Sequence, residues 1–239
     1  MWIAHRLAGL SPTAPPCLVF LRRAPAGTGV FPETLLCLSA SFNPITVAHA
    51  VLIRQASRLI SPGETLLLLA TANVDKGGEG LPLERRLDLL LRFAESRPEI
   101  SVAAVAHGRF VDKLEAIRAA YPADTRVVFL LGFDTLVRVF DPKYYEDRNE
   151  SLRRLFGGSE CVVANRGADG PEAVQAFLAR PDVAPFARRI HAIRLPPDMA
   201  AVSATEVRAR LARGDSVQDL VPPEVQPALA AWSQSLRTG

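Results

Sequence analysis

Thr46 and His49 stand three residues apart in SFNPITVAH (Ser41–His49), between an apolar run, TLLCLSA, and an amphipathic stretch, VLIRQASRLI. A strand, a tight turn and a helix start in that order make an anion site. First-turn N–H groups have no partner inside the helix, and the helix dipole favours negative charge beside them. Thr46 reads as the N-cap, which puts the His49 imidazole on the first turn next to those donors. Phosphate is the natural guest. A lone histidine at a helix start is equally well satisfied by a nearby carbonyl, so this segment needs a second one to give it meaning.

VSATEVRARL (Val202–Leu211) supplies it. Ser203 reads as an N-cap and Glu206, at the third helical position, completes a capping box. Arg208 then projects from the second turn, within reach of an anion held by the Ser203 and Thr205 hydroxyls and the first-turn N–H groups. By itself the pattern also describes a well-capped surface helix.

The elements around these segments follow from patterning. Apolar runs at Leu35–Ala40, Thr65–Ala72, Ser101–Ala106, Arg126–Gly132, Cys161–Asn165 and His191–Leu195 read as strands. Helical periodicity between and after them covers Val47–Ile60, Leu83–Ser96, Val111–Ala120, Pro171–Ala179, Ser203–Ala212 and Pro223–Leu236. The alternation predicts an α/β fold, Rossmann-like and doubly wound, with a mainly parallel sheet and helices on both faces. Such sheets bind ligands beyond the carboxyl ends of their strands. Residues 33–239 are expected to form one domain, preceded by an irregular N-terminal arm, residues 1–32.

Composition narrows the function. The 239 residues are 49% hydrophobic and 22% charged, as in a folded globule. Net charge is +3, with the basic residues dispersed, so a nucleic-acid polymer is not an expected partner. Only Lys76, Lys113 and Lys143 are lysines, which singles each out in an arginine-rich chain. Cys17, Cys37 and Cys161 make no C-x-x-C spacing, so neither a disulfide framework nor a zinc site is indicated. No apolar run approaches the ~20 residues that cross a bilayer. A cytoplasmic or nuclear location is expected. Arg6, Arg22 and Arg23 in an arm without acidic residues faintly suggest mitochondrial targeting, but the prolines of Pro12–Pro16 speak against its amphipathic helix.

Taken together and in order, the two segments resemble the nucleotidylyltransferase superfamily, and SFNPIT..H is most similar to its nicotinamide mononucleotide adenylyltransferases, including divergent fungal members. The resemblance runs from about Leu35 to Leu211. It implies a nucleotide-binding turn at Ser41, Phe42, Asn43 and Thr46, with His49 on the α-phosphoryl oxygens. It also implies Arg208, Ser203 and Thr205 on the outer phosphates and Lys76, in NVDKG, on the incoming phosphate. LLGFD resembles the ribose-lining Gly-x-Asp, here Gly132 and Asp134. VVANR resembles the strand that leads to an adenine-side arginine, here Arg166, and ERRLDLL the helix that carries another, Arg86. Ala40 stands where the family has glycine. Trp2 and Trp232 lie outside the motifs, which leaves Phe110 as the aromatic residue for stacking.

The implied activity is transfer of AMP from ATP to nicotinamide mononucleotide, giving NAD and pyrophosphate, with Mg²⁺ entering on ATP and no dedicated protein metal site. An ATP hydrolase or another nucleotidyl transfer on the same fold is the second reading, and a non-catalytic nucleotide-binding protein the third. The absence of G-x-x-x-x-G-K-S/T rules out a P-loop mechanism, and the absence of G-x-G-x-x-G after the first strand disfavours a nicotinamide-linked dehydrogenase.

Overall fold

In β2 (Thr34–Ser39) five successive residues are buried. Continuous rather than alternating apolarity is what a parallel strand covered on both faces requires. β3 (Glu64–Ala70) and β4 (Ile100–Val105) are buried along their whole lengths. The computed structural model, which describes residues 2–24, 31–71, 80–165 and 170–238, assembles these with β1 (Val19–Arg22), β5 (Arg126–Gly132), β6 (Glu160–Ala164) and β7 (Ile190–Ile193) into one sheet.

The order is β1-β4-β3-β2-β5-β6-β7. β2 to β7 run parallel, and only β1 pairs antiparallel, with β4. Numbered alone, the six parallel strands follow 3-2-1-4-5-6, the doubly wound order. The winding reverses between β2 and β5, where the first strands of the two halves lie side by side and leave a crevice at their carboxyl ends.

Side-chain alternation divides the core. Leu36 and Leu38 of β2 face α2 (Val47–Ile60), α3 (Leu83–Glu95), α9 (Ala204–Arg213) and α10 (Gln226–Thr238), together with Ala200 of α8 (Pro197–Ala201). Leu35 and Cys37 face α4 (Phe110–Arg118), α5 (Phe133–Val139), α6 (Arg148–Gly158) and α7 (Pro171–Leu178). Truncating a fully buried leucine such as Leu36 to alanine costs roughly 3 kcal/mol.

Two segments differ from the expectation. The N-terminal stretch expected to be irregular contains a helix, α1 (Trp2–Leu7), and an edge strand, β1, in register with β4 at Val19↔Ala104. Only four residues long, with three half-buried, β1 has too little periodicity to be read from sequence. α6 was not expected either. Asp147 caps it by accepting from the Glu150 N–H at 2.9 Å, and its polar RNESLRR start hides the buried Leu152, Leu155 and Phe156.

Candidate active site

The residues between β2 and α2 turn sharply. Phe42 adopts a positive φ of 42°, and the Asn43–Pro44 bond is cis. Phe42 is 1% exposed and packs against the His49 ring at 5.3 Å between centroids. His49 is held from its other edge. The Thr46 N–H donates to its Nδ1 at 3.0 Å, and the Thr46 hydroxyl lies 2.8 Å from the same nitrogen. This is a capping box in which an imidazole takes the place of the usual glutamate. An Nδ1 that accepts from a backbone N–H carries no proton, so the ring proton is on Nε2.

The helix start is less open than the sequence implied. The Val47 N–H donates to the Leu220 carbonyl at 2.9 Å and the His49 N–H to the Thr46 carbonyl at 3.1 Å. Two of the first-turn donors are therefore spent on protein, because the chain returns beside α2 after α9. The imidazole, not a ring of backbone amides, is the donor this turn presents.

Asn43 connects the two motifs. Its carbonyl accepts from the Arg208 guanidinium at 2.9 Å, across 165 residues of sequence. Its side-chain oxygen accepts from the Leu81 N–H at 2.8 Å. Gly80 lies against the same amide at φ +114°, and a Cβ there would fall 2.3 Å from Asn43 Nδ2, so glycine is required. Arg86 is 5% exposed and donates through Nε to the Leu81 carbonyl at 2.6 Å. Burial works against its charge, and the neighbouring Arg208 adds to that. Two guanidinium groups thus converge behind the turn, a local field suited to polyanions.

The turn opens onto a cleft of about 840 Å³ at the carboxyl ends of β2 to β6. On one side, Gly132 is the N-cap of α5, and both it and Asp134 line the wall. On the other, the loop after β4 and the start of α4 contribute His107, Arg109, Phe110, Asp112 and Lys113. Arg109 grips Asp112 with two hydrogen bonds, at 2.9 and 3.0 Å. Lys113 is 3% exposed, with its ammonium 4.2 Å from the Phe110 ring centroid. Burial brings that ammonium down to about 8, against the opposing pull of Cys37 and Asp112.

Of the residues singled out by sequence, Ser41, Phe42, Asn43, Thr46, His49, Gly132 and Asp134 line this cleft. Ser203, Thr205 and Arg208 do not; Ala204 beside them does. Ser203 Oγ accepts from the Glu206 N–H at 3.1 Å, and Thr205 Oγ1 accepts from Arg208 at 3.3 Å, so both hydroxyl oxygens already serve α9. Lys76 and Arg166 lie outside the described residues. Phe110, expected to stack on a base, is 7% exposed and meets Phe129 edge-on at 5.2 Å, a core contact. His107, Arg109 and Lys113 were not assigned to the site. Their signal was position: HGRFVDK follows a strand end, and Lys113 is one of three lysines.

Comparison with known proteins gives a consistent set. A family model described as cytidylyltransferase-like matches residues 38–210. A Schizosaccharomyces pombe protein named "Putative nicotinamide mononucleotide adenylyltransferase" is 26% identical over 209 residues, covering 81% of this chain and 82% of that protein. An Anaeromyxobacter dehalogenans protein named "Probable nicotinate-nucleotide adenylyltransferase" is 32% identical over 197 residues, covering 79% and 89%. Among solved structures, Plasmodium falciparum nicotinic acid mononucleotide adenylyltransferase complexed with NaAD shares the fold. Its TM-score is 0.62 at 16% identity, with 83% of this chain and 95% of that one covered.

Proposed function

The chain belongs to the cytidylyltransferase-like family, and from that membership and the geometry of the cleft we propose that it transfers AMP from ATP to nicotinamide mononucleotide, forming NAD and pyrophosphate. The observation that carries this reading is the fixed, neutral His49 ring, proton on Nε2, at the crevice between β2 and β5 and joined to α9 through Asn43 and Arg208.

In the reaction an oxygen of the mononucleotide 5′-phosphate attacks the α-phosphorus of ATP. A new P–O bond forms, the bond to the β-phosphate oxygen breaks, and its electron pair leaves with pyrophosphate. The attacking oxygen is already ionised, so no general base is required. Rate enhancement then comes from aligning two anions and stabilising charge on the α-phosphoryl oxygens and the leaving group. His49 donates to the α-phosphoryl oxygens. Arg208, with Arg86 behind it, supplies positive field at the outer phosphates. Gly132 and Asp134 receive the nucleoside, and Lys76 and Arg166 take the roles that the sequence motifs give them.

Mg²⁺ fits as an ion brought by ATP: among the described residues no three His, Cys, Asp or Glu side chains converge, and Mg²⁺ binds through phosphate oxygens while retaining waters. When bound it neutralises charge on the leaving pyrophosphate. Two buried free thiols, Cys37 and Cys161, and an exposed one, Cys17, suit a reducing compartment, the cytosol or nucleus. Among the described residues no helix is long and apolar enough to cross a membrane.

The test is dinucleotide formation and pyrophosphate release with Mg-ATP, with and without nicotinamide mononucleotide. We expect product only with both substrates, and a loss of roughly 10³-fold in kcat for His49→Ala with ATP binding retained. Phosphate release without the mononucleotide would point to a hydrolase instead.

A further inference from the structure

The α4 end of the cleft holds a charge that phosphoryl transfer beside α2 and α9 does not use. Lys113 is 3% exposed and lines the cleft. Among the described residues no carboxylate stands within ion-pair distance of its ammonium. The adjacent carboxylate, Asp112, has both oxygens taken by Arg109, at 2.9 and 3.0 Å. At the same end Nδ1 of His107 is buried with no hydrogen-bond partner. The Phe110 ring, 4.2 Å from the ammonium, offsets only part of the cost of burying it. A buried cation without a counter-ion is a burden on the fold unless a ligand brings the missing anion.

The adenylyl-transfer reading identifies the ligand that reaches this end. With ATP along Gly132, Asp134 and α9, the mononucleotide is left with the wall built by α4. Resting on that reading, we propose that Lys113 makes the acceptor end selective for a mononucleotide whose pyridine ring carries a carboxylate, the nicotinic acid form, over one that carries a carboxamide.

The two forms differ only in this group. A carboxylate supplies the anion that Lys113 lacks and accepts its hydrogen bond in a site sheltered from water, where charge pairing is strong. A carboxamide offers one acceptor oxygen but also an NH₂ that needs an acceptor of its own, and Asp112 is already committed to Arg109. Leaving that donor or the ammonium unsatisfied penalises the amide, which is selectivity by exclusion as well as attraction. Burial also brings the ammonium down to about 8, and a bound carboxylate would push it back up.

Two measurements on the full chain test this. Calorimetry gives the dissociation constants of the acid and amide mononucleotides, and steady-state kinetics with Mg-ATP gives kcat/KM for each, on the wild type and on Lys113→Met. We expect the acid form to be favoured at least tenfold in both, and Lys113→Met to lose that preference. The same preference ratio in wild type and variant overturns the assignment while leaving adenylyl transfer intact. So do equal losses on both substrates, which would put the ammonium on the shared 5′-phosphate. If Lys113→Met does not fold, the wild-type dissociation constants decide, and equal affinities overturn the proposal. A chain that binds ATP yet joins it to neither mononucleotide overturns both readings.

Discussion

Thr46 directs two groups at one ring nitrogen of His49, and that shared contact fixes both the tautomer and the ring plane. Removing the hydroxyl while keeping the backbone donor isolates its share. Thr46→Val is expected to lower kcat about tenfold with the KM for ATP little changed, as for other groups that orient a catalytic imidazole; an unaltered kcat would mean that the backbone N–H suffices. Lys113 calls for a different measurement. At pH 7 its ammonium is charged in the folded and unfolded chain alike, so the fold bears the full burial cost. The folded-state value, about 8, lies below the ordinary 10.5, so the folded chain sheds the proton first and stability is regained as pH rises through that window. Lys113→Met should therefore melt several degrees above wild type at pH 7, with the gap shrinking by pH 10 when both are followed by circular dichroism. A gap constant with pH would show that the ammonium is not desolvated.

Across elements, one charged cluster links the amino ends of three strands. Glu160 at the start of β6 receives Arg126 of β5 at 3.0 and 2.8 Å and lies 2.7 Å from His191 Nε2 on β7. The Arg126 guanidinium, with help from His191 and against partial burial, holds the Glu160 carboxyl down to about 2. A carboxylate held below its unfolded value stabilises the fold above that value, here 4.5, and loses the effect as pH falls toward 2. Glu160→Gln should therefore be less stable than wild type at pH 6, and urea titrations should show the difference closing between pH 4.5 and 2. A pH-independent difference would mean that packing, not charge, accounts for it. The strands themselves were legible because burial on both faces leaves near-continuous apolar runs. α6 and β1 were not, since one starts on a polar turn and the other is a short, half-covered edge.

For the whole molecule the N-terminal segment matters beyond its length. β1 occupies the outer edge of β4 through Val19↔Ala104, Phe20↔Ala103 and Arg22↔Val102, and Pro12 ahead of it lines the cleft. Removing residues 1–23 would bare the edge of a strand that is buried along its whole length, a template for pairing with another chain. The truncated protein is expected to self-associate with rising concentration in sedimentation velocity, whereas a monodisperse truncated chain would show that β4 needs no cover. Local patterning determined a good deal by itself: a doubly wound α/β fold, the helix starts at Thr46 and Ser203, and a cleft containing Ser41, Asn43, His49, Gly132 and Asp134. Those features depend on neighbours within a few residues, where periodicity, capping and turn chemistry are written directly. Tertiary structure alone decided that Leu220 closes one of the α2 donors, that Arg208 reaches Asn43 rather than the cleft wall, and that Lys113 is buried beside a Phe110 that belongs to the core. These contacts join residues far apart in the chain, and which long-range partners meet is set by the order in which the strands pack.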